Sequence, residues 1–315
     1  MTTGLIAHRA CFDHVVPPGH PECAARLNAV LTALDSEEFA ELNRIEAPRA
    51  SRESLLAVHD SAVVDAVLSA RIEPGRFARI DADTAMSPGS AEAALRAVGA
   101  VAAAVDGVMA NRFGNGFCAV RPPGHHAERA RSMGFCLFNN VALGALHARQ
   151  AHGLERIAVV DFDVHHGNGT QDIFFDDPNL FYASTHEFPL YPGTGSAAES
   201  GVAGNVVNAP LPPGSGSKAF RAALTLRILP ALVSFSPQFL FISAGFDAHR
   251  SDPLASLQLE ESDFAWATEQ LCEVAAQTCG RRVVSVLEGG YDLDALARSA
   301  AAHVRALMAG AEARP

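Results

Sequence analysis

Four short apolar runs in this 315-residue chain end abruptly in polar residues that a buried strand has no structural use for. GFCAV (116–120) runs into RPPGHHA, IAVV (157–160) into DFDVHHGNGT, FLFISA (239–244) into GFDAH, and RRVVSVL (281–287) into EGGYD. Short, continuous apolar runs of this kind read as strands buried on both faces. Helix-forming stretches separate them, among them an Ala/Val-rich segment over 90–110 and others over about 140–151, 217–233, 262–278 and 293–309. The alternation predicts an α/β domain with a parallel sheet and covering helices. In open parallel sheets, ligands bind beyond the carboxyl ends of the strands. The polar groups, although far apart in sequence, are therefore expected to meet.

The stretch after IAVV carries the strongest chemical signal. Asp161, Asp163 and His165 alternate with Phe162 and Val164. Alternate residues of a strand share a face, so two carboxylates and an imidazole are expected on one side of a strand end. Clustered carboxylates repel and are costly to desolvate, and a bound cation removes that cost. With Asp247 from the third run, Asp163 and His165 make a three-ligand oxygen/nitrogen set that leaves a coordination position for water and substrate, as at a catalytic zinc. His125 and His126 sit on a rigid Pro/Gly loop and supply a base that takes a proton from water and returns it to a leaving amine. Tyr291 can donate to an oxyanion, and Asp161 can orient a histidine. The implied reaction is metal-assisted hydrolysis of an amide. The bland alternative is a set of polar strand ends running into Gly-rich turns.

The rest of the chain bounds this reading. A 49% hydrophobic content over 315 residues suffices for one large core. The net charge of −11 disfavours nucleic acid and anionic lipid and mildly attracts a cationic substrate. No window reaches a membrane span and the first residues lack signal-peptide character, so a cytoplasmic location is expected. Cys11, Cys23, Cys118, Cys136, Cys272 and Cys279 form no CxxC pair and read as reduced core residues. A helix is expected over about 23–34, with Pro21 and Glu22 in its first turn and Arg26 on its solvated face. His8, His14, His20 and His59 read as loop or packing residues. Ser51 is a candidate N-cap, and Asp263 lies in the first turn of its helix. Residues 81–88 read as a loop.

Taken together, RPPGHHA (121–127), GFCLFNN (134–140), DFDVHHGNGT (161–170), YPGTG (191–195), SAGFDAH (243–249) and LEGGY (287–291) resemble the zinc-dependent histone deacetylase superfamily, which includes bacterial deacetylase-like amidohydrolases, acetylpolyamine amidohydrolases and acetoin-utilisation proteins. The motifs run in family order over about residues 4–308 of a single domain spanning 1–315. The resemblance implies the arginase/deacetylase fold, a central parallel sheet of about eight strands with helices on both faces. It makes Asp163, His165 and Asp247 zinc ligands, with Fe²⁺ as an alternative metal in the cell. His126 becomes the general base and acid, His125 its electrostatic partner, Asp161 the carboxylate that holds His125, and Tyr291 the carbonyl-polarising group. Phe135 and Tyr191 match the aromatic walls of an acyl-lysine tunnel, and Gly134 a backbone contact to the scissile amide. Arg26 matches an arginine beneath the zinc near an acetate channel. Asn168 resembles class II members, where class I members carry Asp. A structural K⁺ is implied near Asp161, Asp163, His165 and Ser184.

The substrate implied is acyl-lysine in proteins or peptides, with hydroxamates as inhibitors. Leu254 stands where polyamine-specific relatives often carry an acidic gatekeeper. A small acetylated amine stays open as the second substrate class, and the oligomeric state is not legible. A ureohydrolase of the same fold with two Mn²⁺ ions would need bridging aspartates that DVHHGN and GFDAH lack. A catalytically inactive acyl-lysine-binding module would tolerate loss of ligands, yet this chain keeps the full set.

Overall fold

The structure, a computed structural model, describes residues 1–311. In chain order, β1 (Thr3–Ala7) leads to α1 (Ala24–Ala33), β2 (Asn43–Glu46), α2 (Arg52–Leu55) and α3 (Ser61–Leu68). A small antiparallel hairpin of β3 (Ala78–Arg79) and β4 (Ala85–Met86) precedes the long α4 (Ser90–Met109). Then come β5 (Asn115–Cys118), α5 (Asn140–His152), β6 (Ile157–Asp161), α6 (Asn168–Phe174), β7 (Leu180–Glu187) and β8 (Val206–Leu211). The helix α7 (Ser217–Ala223) continues through a π turn, Leu224–Ile228, into α8 (Leu229–Phe235). The chain closes with β9 (Phe239–Ala244), α9 (Glu261–Thr278), β10 (Val283–Leu287) and α10 (Leu293–Ala311).

Eight strands form one sheet in the order β2-β1-β5-β10-β9-β6-β7-β8, and every pairing is parallel. The strands read most clearly in the sequence, β6, β9 and β10, lie side by side at its centre and are buried along their whole length. Helices on both faces explain their uninterrupted apolar character. The edges are different. β2 is NRIE and largely exposed, so it carries no apolar signal. On the other edge, β8 tolerates Pro210 because an edge strand can spare one N–H. Register sets the site: Asp161 lies opposite Ser184 on β7 and Ser243 on β9, and Ser243 opposite Val286 on β10. The strand ends thus finish on one level.

Three expectations change. Residues 81–88 contain half of the small hairpin. The helix expected over 217–233 is a π-bulged run, with Pro230 near the N-terminus of α8. Pro21 and Glu22 precede α1, whose N-cap is Cys23, a partly exposed residue among otherwise buried thiols. Ser51 caps α2 by accepting from Ser54 N, and Asp263 completes a reciprocal capping box with Glu260.

Candidate active site

β6 ends at Asp161, and the following residues fold into a turn. The alternating-strand expectation is therefore corrected: carboxylates, not pleat, gather these side chains. Asp161 Oδ1 accepts from Asp163 N at 3.0 Å, and Asp163 Oδ1 accepts from His165 N at 2.9 Å. Asp247, just past β9, accepts from Val164 N at 2.9 Å. Asp247 folds the turn with Oδ1 and turns Oδ2 toward His165, whereas Asp163 Oδ1 both accepts from His165 N and faces the His165 ring. Asp163 Oδ2 also accepts from Gly289 N at 2.8 Å. Side chains are excluded from the backbone beside them: a Cβ on Gly245 would lie 1.9 Å from Asp163 Oδ2, and one on Gly289 would lie 2.1 Å from Asp247 Oδ2.

Asp163, His165 and Asp247 each offer one ligand atom, all within 4.8 Å of one another, and all three residues are buried. His165 Nδ1 lies 3.2 Å from Asp163 Oδ1 and 3.1 Å from Asp247 Oδ2. Burial works against a charged ring, yet the two carboxylates raise His165 to about 10. A positive charge belongs among these atoms, as a proton on Nδ1 or as a metal ion in its place. Two carboxylates and one imidazole fit zinc and leave an open coordination position.

The two adjacent histidines are held differently. His125 Nδ1 donates to Asp161 Oδ2 at 3.0 Å. Burial opposes its charge, but Asp163 and Asp161 raise it to about 10. His126 Nδ1 lies 2.8 Å from Asn168 Oδ1. Asn168 Nδ2 donates to Glu128 Oε1 at 2.6 Å, which fixes the amide orientation and makes His126 Nδ1 the donor. Nε2 of His126 then keeps the lone pair. Burial and the neighbouring His125 and His165 hold His126 well below the usual imidazole range.

Tyr291 follows β10, and its backbone N–H donates to Asp252 Oδ2 at 2.7 Å. Arg26, expected on a solvated helix face, is instead fully buried. Its guanidinium donates to Gly290 O and Glu288 O at 2.5 Å each and to Glu22 at 3.0 Å, and it stacks 4.9 Å from the Tyr291 ring centroid. Helical pattern favours the solvated face because two of its partners are backbone carbonyls more than 260 residues away; only the family resemblance implies an inward Arg26.

One cavity of about 230 Å³ is lined by His126, His165, Gly134, Phe135, Tyr191, Leu254 and Tyr291, together with Asp83 and Leu190. Phe135 has φ +68°, a region costly for an aromatic residue. Its N–H donates to Thr84 Oγ1 at 3.0 Å, and its ring sits 6.0 Å from that of Tyr291. Tyr191 stands edge-on to His126 at 5.2 Å. Asp163, Asp247, His125, Arg26, Asn168, Asp161 and Ser184 lie behind or outside this lining; Ser184 bonds His186 Nδ1 at 2.9 Å.

Sequence reading missed four supports. Glu288 accepts from Gly124 N and His125 N and anchors the histidine loop; burial raises it to about 7. Glu22 binds Arg121 and Arg26. Tyr182 donates to Asp161. Asp83 reaches the cavity from the loop before β4. Glu288 stands inside LEGGY, where its position just past an apolar strand was an available signal.

The profile of the histone deacetylase domain matches residues 20–307. Histone deacetylase 14, chloroplastic, of Arabidopsis thaliana is 40% identical over 308 residues, covering 92% of this chain and 73% of that protein. A histone deacetylase-like amidohydrolase of Pseudomonas aeruginosa is 38% identical over 287 residues, covering 88% and 74%. The crystal structure of the HDA15 HD domain superposes with a TM-score of 0.91 at 36% identity, covering 100% of this chain and 90% of the other. Similarity of this extent reaches every strand end that forms the cavity, and on that ground the chain belongs to the histone deacetylase family.

Proposed function

We propose that this deacetylase-family hydrolase is a zinc-dependent enzyme that removes acetyl or other short acyl groups from lysine side chains in proteins or peptides. The observation that carries the reading is one narrow cavity lined by His126 with a free Nε2, Tyr291 and His165, the last of which belongs to a buried Asp/His/Asp cluster with Asp163 and Asp247. Zinc bound by Asp163, His165 and Asp247 would supply a Lewis acid that acidifies a water and polarises the acyl carbonyl. His126 Nε2 takes the proton from the attacking water and later delivers it to the lysine nitrogen. His125, held by Asp161, keeps positive charge beside it. The Tyr291 hydroxyl donates to the oxyanion, while Arg26 beneath its ring and Asp252 at its N–H fix its place. Phe135 and Tyr191 flank an extended alkyl chain and exclude water. A potassium ion beside Asp161, Asp163, His165 and Ser184 belongs to the same proposal; potassium content of the purified chain tests it.

One observation favours a second substrate class. Leu254 leaves its own rim position uncharged, but Asp83 brings a carboxylate to the same cavity. A small acetylated amine with a free ammonium would pair with it. The test is a side-by-side assay of an acetyl-lysine peptide, a trifluoroacetyl-lysine peptide and acetylated putrescine, with a hydroxamate control. Peptide turnover blocked by the hydroxamate supports the proposal. Preference for acetylputrescine that is lost in Asp83→Asn supports the second reading. Absence of turnover with zinc bound would favour an acyl-lysine-binding module.

A further inference from the structure

A second group of metal-ligating side chains lies on the seam between α4 and α5, sharing no residue with the cavity. Asp106 comes from α4, and His147 and His152 come from α5. The helices approach closely here: a Cβ on Gly144 would lie 2.3 Å from Val101 Cγ1. Five residues turn an α-helix through about 140° beyond a full revolution, so the two histidines flank the seam and reach inward from opposite sides. Both Nε2 atoms point at the same oxygen, Asp106 Oδ1, at 2.8 Å for His147 and 2.7 Å for His152. The rings are 5.9 Å apart and nearly perpendicular, at 81°. The three ligand atoms lie within 4.8 Å of one another.

We infer that Asp106, His147 and His152 form a surface site for a borderline divalent transition metal such as Zn²⁺, Ni²⁺ or Cu²⁺. Imidazole nitrogens with one carboxylate suit these ions and not Mg²⁺ or Ca²⁺. Two imidazoles converging on one oxygen require both to carry hydrogen at Nε2 when no metal is bound; a cation replaces those hydrogens with little movement of the rings. The side chains are 45%, 29% and 23% exposed, so water can complete the coordination sphere. A groove of about 200 Å³ lined by Asp106, His147, Pro48 and Gln150 opens beside it. An ion here clips the C-terminal parts of α4 and α5 together, away from the reacting groups, and is exchangeable.

The test is zinc content per chain after dialysis against micromolar zinc, for the wild type, His147→Ala/His152→Ala and Asp106→Asn. The wild type is expected to hold one zinc more than either variant, whatever the buried centre retains. Copper-loaded wild type should show two imidazole nitrogens by electron paramagnetic resonance, and the double histidine variant should lose that signature. A melting curve in chelator that matches the wild type establishes that the double variant is folded. Equal zinc content in all three proteins, or a copper signature that survives the double substitution, would overturn the site.

Discussion

His125 and His126 are neighbours with opposite electrostatics, because one faces carboxylates and the other faces imidazoles and an amide. The choice of Asn168 matters most here. Asn168→Asp adds negative charge at His126 Nδ1, raises that ring's pKa, and leaves less free base at low pH. The acidic limb of the kcat/KM profile is expected to move to higher pH; an unmoved limb contradicts the assignment. His126→Ala should abolish turnover while zinc content stays at the wild-type level. Tyr291→Phe should lower kcat about a hundredfold or more, as loss of an oxyanion donor does; normal turnover would remove Tyr291 from the mechanism. Residue identity was legible at this scale because Asp, His and Tyr after apolar strands have few structural uses. Position was less so: the Asp161–His165 gathering depends on carboxylate-to-backbone bonds, and Arg26 on contacts from the far end of the chain.

Three segments around the site are tied down by buried acids. Glu288 holds the loop after β5, Asp252 the loop after β10, and Glu22 the segment before α1. Glu22 lies fully buried between Arg26 and Arg121. Burial opposes its charge, but Arg121, His14 and Arg26 hold it well below the usual carboxylate range. Removing it strands two buried cations. Glu22→Gln should therefore destabilise the fold by about 3–5 kcal/mol, read as a lower denaturant midpoint; an unchanged midpoint contradicts the ion-pair account. Central strands and long helices were legible because burial on one or both faces writes a periodic apolar pattern. β2 and the β3–β4 hairpin were not, because exposed or two-residue strands leave no such pattern.

The whole molecule is a parallel sheet whose reacting groups gather at one end, while buried polar side chains elsewhere, such as Thr3 with Asn115 and His303 with Thr268 and Ser285, are hydrogen-bonded to one another. His59 and His303 are buried histidines outside the cavity lining. Burial holds His59 at about 4 and His303 at about 3, below the 6.5 of an exposed ring. The unfolded chain then binds more protons between those values, so their contribution is intact above about pH 6.5 and falls as pH drops toward 4. For His59 alone the loss is on the order of 3 kcal/mol. Glu288, raised to about 7, acts in the opposite direction over this window, so the histidine contribution is read by difference: the fall in melting temperature from pH 6.5 to 4 should be shallower in His59→Gln than in the wild type, and equal slopes contradict it. The parallel sheet and the convergence of strand ends followed from alternation and the parallel-sheet rule, whereas the order of the strands left no mark in the sequence and the acid at the cavity, Asp83, comes from a loop with no strand to announce it. If the strand ends build a metal-dependent hydrolytic centre, chemistry and metal content must fail together. Acetate release from an acetyl-lysine peptide, measured alongside zinc content in the wild type and in Asp247→Ala, tests it most directly. Wild-type turnover is expected to be abolished by a chelator and restored by zinc, and Asp247→Ala is expected to show no turnover and to lose the buried zinc. Undiminished turnover by the metal-stripped wild type, or by Asp247→Ala, would contradict it.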